Sequence, residues 1–265
     1  MDEAARPGGW IPFDPATGDW RAAPDAAVVP PEAPRKGVGP LLWTILLGLD
    51  MGLLAVSLLF TAASLLGGKG GGDLAGLTPA QLRIALWAQA AFNLIALGLL
   101  PLAWGMGTRR QPWRGMVRYF HLDRPLLGVL QGVGWAVVVL LGLVAIGYLL
   151  QLVGYQPGNP QADAILAAVT PALAVALALS AGIGEEVFFR GLLQRWVGVW
   201  GQAAIFGLFH LGYGTPLQVV VPFLLGLLLG FLVRRGASLW VAITAHFLFD
   251  LVQLTSPFWL PPGLR

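Results

Sequence analysis

Cysteine is absent from the 265 residues. That excludes disulfides, thiolate nucleophiles and sulfur-ligated metals, so any metal must be held by His and carboxylate side chains. Charge is scarce as well. Only 11% of the residues are Asp, Glu, Lys or Arg, against about 25% in a typical soluble domain. So few charges cannot cover a globule in water, whereas lipid removes the need. The formal net charge is +3, but the basic residues are scattered through loops and form no tract, which argues against a nucleic-acid partner. An apolar signal-peptide core is missing from residues 1–39. With Pro7, Pro12, Pro15, Pro24, Pro30, Pro31 and Pro34 among many Ala and Gly, this stretch is expected to be a disordered cytoplasmic tail. Trp10, Ile11, Phe13 and Trp20 are its candidates for a short element that docks a partner.

Long apolar runs are what the chain does have: 57% of its residues are hydrophobic. A spanning helix needs roughly 20 mostly apolar residues. Runs at 41–66, 82–105, 126–152, 164–187, 199–214, 217–233 and 237–255 predict an all-α, polytopic transmembrane helix bundle of about seven spans in the lipid bilayer. With the N-terminus inside, all but Lys69, Arg83 and Arg265 of the 16 Lys and Arg fall in cytoplasmic segments, as the positive-inside bias requires. Between the second and third spans, Trp113, Met116, Val117 and Phe120 recur at helical spacing among Arg114, Arg118 and Arg124. This pattern predicts a short interfacial helix, with His121 as an interfacial residue without chemistry. Residues 40–124 thus form an N-terminal membrane segment, 125–255 a core, and 256–265 a C-terminal tail.

Several polar residues lie where lipid should exclude them. The fourth span ends in Glu185, Glu186 and Arg190, the fifth contains His210, and the seventh contains His246 and Asp250. An intramembrane charge costs about 2.5 to 3.5 kcal/mol on the insertion scale, so these groups must pair or line a wet cavity. Counting from Arg195 and Arg235 at the cytoplasmic interface, the rise of about 1.5 Å per residue puts Glu185 about 15 Å deep and His246 about 16 Å deep. Counted from Gly201, His210 is about 13 Å deep. Three residues from three spans therefore share one depth. Glu186 and Arg190 are four apart on one helix face and form an ion pair. Glu185 projects about 100° away and has no local partner, as suits a general base. His246 and Asp250 are again four apart, so Asp250 can orient His246 or share its proton. Asp50 and Asn93 are also polar within spans and receive no functional role. Trp196, Trp200 and Trp240 fit a cytoplasmic aromatic belt.

Glu185-Glu186-x-x-x-Arg190, Phe206-x-x-x-His210 and His246-x-x-x-Asp250, in that order on successive spans, resemble the three motifs of the CPBP family. These are the CAAX-prenyl-endopeptidase and bacteriocin-processing intramembrane proteases. The resemblance covers roughly residues 125–255, with Gly226, Gly230, Arg234, Gly236, Ser238, Leu239 and Trp240 also similar. It implies an endopeptidase in which Glu185 activates a water and His210 holds that water or Glu185. His246 and Asp250 would polarise the scissile carbonyl, and Glu186 and Arg190 would support the motif helix. The eukaryotic prenyl endopeptidases carry Asn where this chain has Asp250, and an ionised Asp cannot donate to an oxyanion. Either Asp250 is protonated, or it only orients His246, or the site binds one divalent metal such as zinc through Glu185, His210, His246 and Asp250. No HExxH signature accompanies that ligand set.

Two other functions compete: a non-catalytic immunity or adaptor protein on the same scaffold, and a proton-coupled transporter. The inverted repeats common in transporters are not evident. Composition points to a bacterial inner (plasma) membrane, where a peptide or membrane protein, rather than a prenylated one, would be the substrate.

Overall fold

The computed structural model describes residues 13–14, 19–20, 36–66, 76–109, 112–155, 158–213 and 215–259. The chain divides into an N-terminal unit, Met1–Ala33, and a helical unit, Pro34–Arg265. In the first, strand β1 (Phe13–Asp14) pairs antiparallel with β2 (Asp19–Trp20), Phe13 opposite Trp20. Trp10 and Ile11 of the expected docking element lie outside the described residues, as do Lys69 and the end of the C-terminal tail.

The helical unit contains ten α-helices among the described residues. Helix α1 (Val38–Leu66) is followed by α2 (Pro79–Phe92), which passes through a π-helical segment (Asn93–Leu99) into α3 (Leu100–Thr108). Then come the short α4 (Pro112–Tyr119), the long α5 (Pro125–Leu152) and the short α6 (Pro160–Ala168). Helix α7 (Pro171–Glu186) runs through a second π segment (Val187–Leu193) into α8 (Gln194–Leu208). Helices α9 (Leu217–Arg234) and α10 (Leu239–Trp259) complete the unit. Three starts share one local cause. Thr78, Asn159 and Thr170 each precede a proline, and each side chain accepts a hydrogen bond from the backbone amide three residues on. The caps satisfy an amide that a helix start leaves open, and proline at the first helical position has no amide to satisfy.

Six helical stretches are long and apolar enough to cross a membrane. Exposed apolar faces, such as Leu130, Val137, Leu141, Val144 and Tyr148 of α5, suit lipid and not water. The protein is an integral membrane protein with an all-α polytopic fold. The number of crossing helices differs from the seven expected. Residues 164–187 are not one span, because α6 ends before the Thr170-Pro171 cap. The expected fourth and fifth spans instead belong to one helical run, Pro171–Tyr213. That run breaks at Gly198, whose φ of 72° is open to glycine at no steric cost. Beyond the break, residues 199–208 rise only about 15 Å, half of a bilayer core. The last helix also runs to Trp259, past the expected 255.

Packing fixes the order around the site. Helices α8 and α9 are antiparallel, tied by Gln194 donating to the Gly230 carbonyl (3.0 Å) and Gln202 to the Gly226 carbonyl (2.8 Å). Helices α5 and α10 run parallel and in close contact. A Cβ at Gly132 would meet the Val241 carbonyl oxygen at 2.8 Å, and one at Gly128 would meet Ser238 at 3.3 Å.

The start of α10 is clamped by the turn after α4. The His121 carbonyl accepts from the Leu239 amide (2.8 Å) and from Ser238 Oγ (3.0 Å). The Asp123 carbonyl accepts from Ser238 Oγ (2.6 Å), and the Leu122 carbonyl from Trp240 Nε1 (3.1 Å). His121 holds a left-handed backbone, φ 51°. Burial, and then the Arg195 charge, hold its imidazole below the ordinary histidine range, with Asp123 opposing them. A histidine whose native pKa is lowered leaves stability intact above the unfolded value and removes it as pH falls through the folded one. Protection of the Leu239 amide from hydrogen exchange is therefore expected to fall as pH drops below 6.5, the ordinary histidine value. His121→Asn, which tolerates the same backbone, should abolish that dependence.

Candidate active site

The site forms where α7, its π segment and α10 meet the π segment after α2. Helix α7 delivers Glu185 and Glu186 as adjacent residues that point to different surroundings. Glu186 is fully buried, and its Oε1 accepts from Arg190 Nη1 (2.8 Å) and from His246 Nδ1 (2.7 Å). A carboxylate between two such donors is acceptor-only, so the His246 Nδ1–H donates and Nε2 faces the other way. Nε2 lies 3.4 Å from Asp250 Oδ2 and 4.0 Å from Glu185 Oε2. Arg190 has buried Nε and Nη2 without hydrogen-bond partners among the described residues. Its guanidinium lies 4.3 Å from the centre of the Phe206 ring instead, an arrangement in which the ring face attracts the cation.

Exposure separates the carboxylates. The Glu186 side chain is 0% exposed and His246 4%, whereas Glu185 is 15% and Asp250 24% exposed. The closed side is an ion-paired support, and the open side carries two carboxylates and an imidazole nitrogen. Glu185 is the more tightly held of the two open acids. Its Oε1 accepts from Asn93 Nδ2 at 3.1 Å, which leaves Oε2 toward His246.

Of the residues singled out from the sequence, Glu185, Glu186, Arg190, His246 and Asp250 form one connected cluster. His210 reaches it through aromatic contact. Its Nδ1 donates to the Phe206 carbonyl at 2.9 Å, and its ring lies 5.0 Å from Phe206 and 5.7 Å from Tyr213, against which it stacks. The Phe206 ring is also 5.8 Å from His246, so one phenyl group spaces the two imidazoles. Two carboxylates flank His246: Glu186 at Nδ1 (2.7 Å), and Asp250, the neighbour that four-residue spacing indicated, at Nε2 (3.4 Å). Sequence reasoning missed Asn93 as a ligand of Glu185, although a lone Asn within an apolar span was the available signal. Among the described residues, no three His, Asp or Glu side chains are grouped as a metal centre requires. The set Glu185, His210, His246 and Asp250 is therefore not arranged as a preformed zinc site.

Residues 167–252 match the family described as type II CAAX prenyl endopeptidase Rce1-like. The match contains every residue of the cluster except Asn93, and it bears out the family resemblance carried by the three motifs. An uncharacterized protein of Bacillus subtilis (strain 168), YpbD, is 35% identical over 77 residues, covering 29% of this chain. That segment spans 41% of the relative's length. No solved structure matches significantly.

Proposed function

We propose that this protein is an intramembrane endopeptidase that hydrolyses a peptide bond in a membrane-associated protein or peptide, with Glu185 as the base that activates water. One observation carries the reading: the partly exposed carboxylates of Glu185 and Asp250 flank His246 Nε2, while Glu186 and Arg190 are fully buried. The 4.0 Å between Glu185 Oε2 and His246 Nε2 is too long for a direct hydrogen bond and suits a bridging water.

In this mechanism Glu185 takes a proton from water as the water oxygen attacks the scissile carbonyl carbon. The carbonyl oxygen becomes an oxyanion and accepts from His246 Nε2–H, whose proton is shared with Asp250. Collapse breaks the C–N bond, and Glu185 returns its proton to the leaving amine. Glu186 keeps the imidazole aimed through Nδ1. The donor is thus in place before charge develops, which is where electrostatic stabilisation is most effective. His210, through Phe206, shapes the wall beside His246.

The natural substrate is a peptide or membrane protein without a prenyl group, and the location is a bacterial plasma membrane. The low-charge, Ala- and Gly-rich composition and the bacterial relative support both. Comparing the N- and C-termini of membrane proteins between cells carrying wild type and Glu185→Gln tests the activity. New termini that depend on Glu185 support it, and identical termini contradict it. The mechanism predicts that cleavage survives removal of divalent metals by a chelator in solubilised protein. Loss of cleavage on chelation, with recovery on adding zinc, would instead assign the water to a metal.

A further inference from the structure

The residue that holds Glu185 lies outside the matched segment, on a helix with no other part in the reaction. Asn93 is buried, and it opens the π segment that interrupts the second span. Such π turns displace a side chain from the regular helical register and concentrate at functional sites. Its Nδ2 donates to Glu185 Oε1 (3.1 Å), and its Oδ1 accepts from Gln89 Nε2 (2.7 Å), one turn earlier. The polarity of this chain is forced. An ionised Glu185 only accepts, so Asn93 must present its amide NH2 to it, and the Asn93 oxygen is then free for the Gln89 NH2.

The backbone is cut to fit the contact. A Cβ at Gly184, beside Glu185, would collide with the Asn93 carbonyl oxygen, and one at Gly98 would sit 3.4 Å from the Gly184 Cα. Only glycine at 184 lets α7 come this close to the π segment.

We infer that Asn93, fixed by Gln89, is a positioning residue that holds the Glu185 carboxylate with Oε2 turned to His246. This rests on the endopeptidase reading, with Glu185 as base. Leucine, branched at Cγ like asparagine but without its donor, separates positioning from packing. The assay uses a synthetic peptide spanning a terminus that wild type produces and Glu185→Gln does not, with purified protein in proteoliposomes. Asn93→Leu keeps the branching at Cγ and removes the donor. Its kcat is expected to fall by about tenfold to a hundredfold, as when an orienting partner behind an active-site ligand is lost. Its KM should stay within about twofold, because the contact is not to substrate. Gln89→Leu, at an exposed position, should lower kcat about fivefold, the equivalent of one ordinary hydrogen bond. Asn93→Leu with wild-type kcat overturns the inference, and so does a loss carried by KM alone. If Asn93→Leu does not accumulate in membranes, Gln89→Leu decides alone, and an unchanged kcat overturns the inference. No Glu185-dependent terminus in wild type is the separate failure of the endopeptidase reading.

Discussion

Glu185→Gln is expected to lower kcat by about 10²- to 10⁴-fold, the range for losing a general base, while the protein stays folded. The substitution is selective because of what holds the side chain. Glutamine still offers an oxygen to Asn93 Nδ2, the bond that is 3.1 Å long in the native protein. What it lacks is an oxygen toward His246 that can take a proton from water. KM should change little, since the proposed role of Glu185 is toward the attacking water and not the peptide chain. Glu185→Asp keeps the carboxylate but withdraws it by one methylene. A misplacement of about 1 Å can cost about a hundredfold, so this variant should lie between wild type and Glu185→Gln. Steady-state kinetics on the same peptide check both.

The second large effect concerns the sealed side of the site. Arg190→Leu leaves Glu186 buried at zero exposure with His246 as its one remaining donor. Breaking a buried ion pair from one side typically costs about 3 to 5 kcal/mol, which should appear as a large drop in Tm in detergent micelles. Adding Glu186→Leu removes the stranded charge, and replacing a buried pair by apolar groups is often near neutral. The double variant is therefore expected to regain most of the lost Tm. It should not regain activity, because His246 Nδ1 then has no acceptor at 2.7 Å and its imidazole is free to turn. Stability and cleavage thus separate in one pair of proteins. Recovery of both in the double variant would show that Glu186 is a structural ion-pair partner and nothing more.

Much of this site is legible in the amino-acid sequence because the bilayer makes polar residues conspicuous. Glu185, Glu186, Arg190, His210, His246 and Asp250 stand out against apolar neighbours, and four-residue spacing pairs Glu186 with Arg190. The pairing of Glu186 with His246 is not legible, since it joins residues 60 apart and depends on how α7 turns against α10. Helical spacing favours the local partner Asp250, yet the fold puts the nearer carboxylate on a different helix. Asn93 was visible as a polar intruder, but its target depends on the π segment and on the close approach at Gly184. The fourth and fifth spans are divided differently for a related reason. Val197-Gly198-Val199 reads as part of an apolar run, and only the backbone shows that Gly198 breaks it. Thr170-Pro171 did carry a start signal, and it marks where the predicted 164–187 helix is interrupted.

The central claim is that Glu185 drives hydrolysis of a peptide bond, and one measurement addresses it directly. Purified wild-type and Glu185→Gln proteins are reconstituted in proteoliposomes with the cleavable peptide in water enriched in oxygen-18, and the products are weighed by mass spectrometry. The account predicts that wild type yields two fragments with one heavy oxygen in the new carboxylate, and that Glu185→Gln yields intact peptide. Equal cleavage by the two proteins, or none by either, would contradict it.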